Sequence, residues 1–363
     1  MKGVAVGDIL VPKEIMKEIY NFGDLKKIVT DISLTELESE TRADIRTVWR
    51  KVEKFGPDGF KPPENLGFLI QDADIIAIHI CPISSKIIKK AKNLKIIATA
   101  RGGVENIDIE EATKRKIAVI NSPNHNANAV AEYTIGLMIS ETRNIARSDY
   151  ALRTIGWREI YPNTENIPEI INSKIGIIGF GQIGRLVVKK LQNFGAIIQV
   201  YDPFVPIEII KKYGCIPVKV DELLRSSDII SLHVRLSDKT KGMIGFEEFE
   251  KMKTSSYFIN TARAGLVNVK ALTEALKKKK IMGAAIDVYE KEPAQKDHPL
   301  FSFDNVTVTN HRSGDTRNSY WDTPMMMARQ ILKLLKGETP DYIINPQVLK
   351  DWNWEEVKLD KMF

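Results

Sequence analysis

Gly179, Gly181 and Gly184 stand in the spacing G-x-G-x-x-G, directly after an apolar run from Ile175 to Ile178. The first glycine of such a turn permits the tight reversal, the second lets backbone approach a pyrophosphate, and the third allows close packing of helix on strand. Phe180, Gln182 and Ile183 fill the turn between them. Ile183, Leu186, Val187, Leu191 and Phe194 then fall on one helical face, which Gly195 ends, and a second apolar run closes on Asp202. The start of that helix would offer unpaired N–H groups and partial positive charge to phosphates. Asp202 stands where a carboxylate accepts hydrogen bonds from an adenosine ribose, and its charge would repel the 2′-phosphate of NADP. The glycine spacing alone is a weak signal, but strand, helix and acid in this order make it specific for NAD.

A nicotinamide cofactor carries the hydride, so the protein must supply a proton-transfer group and a grip for substrate charge. The chain has five histidines. His79 and His233 end apolar runs, His125 sits in a polar stretch, and His298 lies in a Pro-flanked loop. His311 follows the strand-like run 306–309, where it would stand at the carboxyl edge of a parallel sheet. Imidazole can give or take a proton near neutrality. A lone histidine at a strand end can equally be structural.

The elements that must position these groups alternate between strand and helix patterns almost throughout, which predicts an α/β fold with parallel sheets covered by helices. In the first part, residues 4–6, 28–30, 75–80 and 94–99 read as buried strands, with a long charged helix over about 35–54 and a loop at 56–65. Residues 121–128 are rich in turn formers and lead into a long helix through about 147. Beyond the glycine turn, strands are expected at 229–234, 257–260, 284–288 and 306–309, and a helix over about 316–335 would return to the first domain. One domain is thus inserted in the other, with crossings near 121 and 313.

At 363 residues the chain suits two domains. Its net charge of +6 comes from scattered lysines, which argues against nucleic acid and suits attraction of small anions. Cys81 and Cys215 are far apart in apolar surroundings, so neither a disulfide framework nor a metal site is expected. No apolar run reaches membrane-spanning length and the N-terminus lacks a signal-peptide core, so a cytoplasmic protein with no membrane partner is expected.

INTARAGLVN, AAIDVYEKEP and NVTVTNHRSGDT, in this order after the glycine turn, resemble the D-isomer-specific 2-hydroxyacid dehydrogenase family. LKIIATARGGVENID and NHNANAVAEYTIGLMI resemble its substrate loop and hinge, so the similarity spans most of the chain. The resemblance implies two Rossmann-like or flavodoxin-like domains: a discontinuous substrate-binding lid domain (1–120 and 314–363) and an inserted NAD-binding domain (121–313). It implies that Arg263 grips the substrate carboxylate and polarises the carbonyl, that His311 is the acid/base, and that Glu292 orients its ring. It further implies that backbone N–H groups of Gly103 and Val104 help bind the carboxylate, and that Asp287 holds the nicotinamide carboxamide. The substrate would be a small 2-hydroxy or 2-keto acid, and the assembly a homodimer. The apolar helix at 129–139 is compatible with such pairing, although burial within one subunit would give the same pattern.

Three departures stand out. The family usually reads T-P-H and then an apolar residue, where this chain has Thr309-Asn310-His311-Arg312. The usual Pro in the second position after His233 is Arg235, and the usual Gly after the catalytic arginine is Ala264. Arg312 and Arg235, with Arg101 before the substrate loop, either accommodate a phosphorylated or sugar-derived substrate or face solvent and pair with acids. Trp321 is either a pocket wall or a core residue, and Trp352 and Trp354 either cover a groove of the same subunit or touch a partner. Within this family a phosphite-type dehydrogenase is an alternative. An NAD(H)-sensing module of corepressor type is another.

Overall fold

A computed structural model describes residues 1–352. The described chain forms two compact units, one of residues 1–125 with 316–352 and one of residues 126–315. Every strand pairing within the two sheets is parallel.

The first unit holds β1 (Lys2–Gly7), β2 (Asp31–Glu36), β3 (Ile75–Ile78), β4 (Ile96–Thr99) and β5 (Ala118–Ile120) in the order β2-β1-β3-β4-β5. The inner strands β3 and β4 are buried on both faces, as their unbroken Ile/Ala runs require. The edge strand falls at Asp31–Glu36 rather than at residues 28–30, because Ile28 closes a short helix while the half-exposed DISLTE takes the edge. The charged helix accordingly starts later, at Arg42–Phe55, where Thr41 and Asp44 form a capping box. Trp352 packs partly buried against this unit's core. Trp354 lies outside the described residues.

The second unit holds β6 (Lys174–Ile178), β7 (Ile197–Tyr201), β8 (Ile216–Pro217), β9 (Ile229–Leu232), β10 (Tyr257–Asn260), β11 (Gly283–Ile286) and β12 (Val306–Val308). Their order, β12-β11-β10-β9-β6-β7-β8, is the doubly wound Rossmann order with one added strand. The long helix expected to run through about 147 is two helices, Ala127–Thr142 and Ile145–Thr154, because Asn144 takes the left-handed conformation (φ 58°) between them. The first of these packs on helix Gln182–Gln192, β10 and β11, so burial inside its own unit accounts for its apolar pattern. The returning helix is likewise split, into Arg317–Trp321 and Thr323–Leu335. Cys81 and Cys215 are buried free thiols. Among the described residues, no helix is long and apolar enough to cross a membrane.

Candidate active site

In the second unit, β6 runs into the glycine turn. Gly179 has φ +98°, and a Cβ there would lie 2.7 Å from the His233 carbonyl carbon. A Cβ on Gly184 would lie 2.2 Å from the Gly179 carbonyl oxygen. These two glycines are demanded by the protein's own packing. Gly181 is not: a Cβ there would meet no atom within 4 Å, so the space it keeps clear lies outside the protein, before helix Gln182–Gln192. That is the fit a pyrophosphate needs. Asp202 accepts the Phe180 N–H at 2.7 Å on one carboxylate oxygen and the Phe204 N–H at 2.8 Å on the other. Each oxygen keeps a lone pair for a ribose hydroxyl. The Phe180 ring belongs to the core, edge-on to Tyr213, so only its backbone borders the turn. Gln182 is exposed and Ile183 half-buried.

The structure brings Glu292 and His311 together. His311 Nδ1 and Glu292 Oε2 are 2.7 Å apart, and the Tyr289 N–H donates to Glu292 Oε1 at 3.1 Å. Burial works to raise the Glu292 pKa, but the His311 hydrogen bond and charge, the Tyr289 N–H and the nearby Arg263 outweigh it and hold the carboxyl below its ordinary value. His311 itself has φ +54°, an uncommon conformation for a residue with a side chain. Asp287 supports it: one oxygen accepts the Thr309 hydroxyl (2.6 Å) and the Arg312 N–H (2.9 Å), the other the Ser313 N–H (2.9 Å). The Tyr289 hydroxyl adds a bond to the Thr309 carbonyl at 2.7 Å. Arg263 is exposed on the turn after β10. Asn260 shapes that turn by donating to the Arg263 carbonyl (3.1 Å) and accepting the Ala262 N–H (3.0 Å). Sequence reasoning missed Asn260 and Tyr289 as positioning residues. Both lie inside the stretches that carry the family resemblance, INTARAGLVN and AAIDVYEKEP, Asn260 closing β10 and Tyr289 following β11, and that placement was the available signal.

Two of the three extra arginines differ from a free anion grip. Arg312 is ion-paired with Asp315. Arg101, in the first unit, is buried, and its guanidinium faces Glu53 Oε1 at 3.4 Å and Glu105 Oε2 at 3.5 Å. The Glu105 carboxylate lies against Gly103, whose added Cβ would meet it at 2.3 Å, and Val104 is half-buried beside it. Arg235 is exposed. Trp321 is partly exposed, with the Arg317 guanidinium over its ring at 4.2 Å.

Residues 135–313 match the family model described as D-isomer specific 2-hydroxyacid dehydrogenase, NAD binding domain. A glyoxylate reductase from Thermofilum pendens is 38% identical over 299 residues, which cover 80% of this chain and 86% of the relative. A D-3-phosphoglycerate dehydrogenase from Methanocaldococcus jannaschii is 39% identical over 279 residues, 76% of this chain. The match spans only 52% of that longer relative. Among solved structures, a Pyrococcus horikoshii protein is 30% identical with a TM-score of 0.67, covering 98% of this chain and 99% of its own. The NAD complexed form of a D-isomer specific 2-hydroxyacid dehydrogenase from Lactobacillus delbrueckii shares the fold at a TM-score of 0.72, with 23% identity, covering 94% of this chain and 100% of its own. The chain belongs to the D-isomer-specific 2-hydroxyacid dehydrogenase family, and its cofactor is NAD.

Proposed function

We propose that this protein interconverts a D-2-hydroxy acid and the corresponding 2-keto acid. The observation that carries the reading is the 2.7 Å pairing of His311 with Glu292 in the unit that also bears the glycine turn. The chemistry that NAD would supply when bound is hydride transfer at C2 of the substrate. The residues of the chain do the rest. Glu292 fixes one ring nitrogen of His311, which leaves Nε2 to donate a proton to the forming alkoxide or to take one from the hydroxyl. Arg263 grips the carboxylate and polarises the carbonyl, a task for a planar, permanently charged fork. The N–H groups of Gly103 and Val104 assist with the carboxylate. Asp202 takes the ribose hydroxyls. Asp287 Oδ2 accepts one bond from the loop and keeps acceptor capacity for the carboxamide.

The protein also forms a homodimer through its second unit. Trp157 and Ile160, 82% and 76% exposed, follow a helix that leaves Tyr150 and Leu152 exposed as well, and large apolar side chains gathered in this way mark an interaction surface. Light scattering of the wild type and of Trp157→Glu tests this, and a wild-type monomer would refute it.

The primary test is NADH oxidation across a panel of 2-keto acids, with His311→Ala as control. Turnover lost in the variant supports the reading. Tight NADH binding without turnover of any keto acid would refute it and favour a sensor.

A further inference from the structure

β11 and β12 are neighbours in the second sheet, and the two halves of the acid/base pair sit on the loops that leave them. Glu292 is on the loop after β11 and His311 on the loop after β12. The backbone ladder between the strands ends where the Thr309 N–H donates to the Ile286 carbonyl at 3.0 Å. Beyond that point, among the described residues, no backbone–backbone bond joins the two loops. Something else must hold the carboxylate and the imidazole 2.7 Å apart.

Tyr289 reaches both loops. Its N–H donates to Glu292 Oε1 at 3.1 Å, and its hydroxyl donates to the Thr309 carbonyl at 2.7 Å, two residues before His311. The Asp287 carboxylate supports the second loop as well, but its bonds go to Thr309, Arg312 and Ser313 and not to Glu292. His311 has φ +54°, and such a conformation persists only where its surroundings over-determine it. Capping the last carbonyl of β12 from the neighbouring loop is one such constraint.

The phenol is itself firmly seated. Its ring meets those of His298 and Phe301 edge-on, with centroids 5.2 and 5.6 Å away. His298 Nδ1 accepts the Leu300 N–H at 3.3 Å, and its Nε2 faces Glu290 Oε2 at 3.5 Å. Burial, with the charges of Asp287 and Glu292, pushes the Tyr289 pKa up. The hydroxyl therefore remains a donor throughout the range in which an imidazole exchanges protons.

We propose that the Tyr289 hydroxyl is a positioning group for the reaction: by tying the His311 loop to the loop of Glu292 it sets their separation, and with it the ring nitrogen that carries the proton. This rests on the dehydrogenase reading above. A carboxylate only accepts, so contact with Glu292 selects the neutral ring with its proton on Nδ1 and leaves Nε2 for the substrate. A displacement of about an ångström between the loops weakens that selection and slows the reaction.

The test is Tyr289→Phe, which keeps the ring, its packing and the backbone N–H. Steady-state NADH oxidation with a 2-keto acid is read beside the ring-nitrogen NMR shifts of the five histidines at alkaline pH, where His311 is assigned by its loss in His311→Ala. In the wild type the His311 proton should sit on Nδ1. In the variant it should be shared between Nδ1 and Nε2, with kcat lower by about fivefold or more. KM for the keto acid and Kd for NADH should stay within about twofold. An unchanged His311 ring form overturns the proposal, whatever happens to kcat or to the urea midpoint, and so does an unchanged kcat. Either result would leave Tyr289 a packing residue. No turnover of any keto acid by the wild type would overturn the dehydrogenase reading instead, and the ring shifts would still decide whether the hydroxyl ties the two loops.

Discussion

His311 Nδ1 lies 2.7 Å from Glu292 Oε2, and the other oxygen of the same carboxylate accepts the Tyr289 N–H at 3.1 Å. The carboxylate is therefore held from behind by backbone while it faces the imidazole. Both residues are partly open to solvent, as groups that meet a substrate must be. The fixed backbone bond makes the pair a preset geometry that substrate binding need not assemble.

Replacing Glu292 by Gln keeps the shape and removes the negative charge that faces the imidazole. We expect kcat to fall by about 10²-fold or more while KM for the keto acid changes little. Steady-state NADH oxidation measures both, and an unchanged kcat would remove Glu292 from the mechanism. The Glu292 pKa is depressed, so its contribution to stability is present above the ordinary value of 4.5 and is lost as pH falls through the folded value. The stability difference between wild type and Glu292→Gln should shrink accordingly in acid.

Asp287→Asn tests the loop that carries His311. The carboxylate accepts N–H groups of Arg312 and Ser313 on different oxygens, so either orientation of the amide sets an NH₂ against a backbone donor. Leaving such a buried donor unsatisfied should cost about 1–3 kcal/mol. We expect a lower midpoint in urea and a lower kcat together. A variant as stable as wild type would mean that the loop holds its form without Asp287.

The glycine turn separates folding from cofactor binding. Gly184→Ala drives a Cβ into backbone at 2.2 Å and should destabilise the protein by about 1–3 kcal/mol. Gly181→Ala meets no protein atom, so its melting temperature should hold while its Kd for NADH rises by about tenfold or more. Thermal unfolding and fluorescence titration read the two effects. Equal NADH affinity in Gly181→Ala would place the pyrophosphate elsewhere.

Local chemistry was legible in the chain where it is local in sequence. The glycine turn, the strand at Tyr257–Asn260 and the acid at Asp202 all announce themselves within a few residues. What the chain hides is decided at long range or by one residue. Glu53 stands 48 positions from the Arg101 that it faces, so the chain by itself leaves open whether that arginine is spare or paired with an acid. Asn144 splits a pattern that continues as helix on both sides, because a single left-handed residue leaves no trace in hydrophobic spacing. Glu292 and His311, 19 positions apart, were paired through resemblance rather than by spacing.

Two buried groups of the second unit should give opposite pH dependences of stability. His233 accepts or donates a 3.0 Å bond with Ser231 Oγ at the end of β9, and although the residue keeps some exposed surface, burial of its ring pushes the pKa down to about 4 from 6.5. A depressed histidine adds stability that is present above 6.5 and lost as pH falls towards 4. Glu141 is buried beside Arg147 and Thr307, and burial, opposed by Arg147, pushes its pKa up to about 7 from 4.5. A raised carboxyl adds stability that is present below 4.5 and lost as pH rises through about 7. The two slopes overlap and partly cancel in the wild type. Relative to wild type, the stability of His233→Gln should therefore fall more steeply, or rise less, as pH increases between 4.5 and 6.5, while that of Glu141→Gln should rise more steeply. Urea denaturation at several pH values measures both. Difference curves that are flat across this window would show that neither group changes its proton affinity on folding.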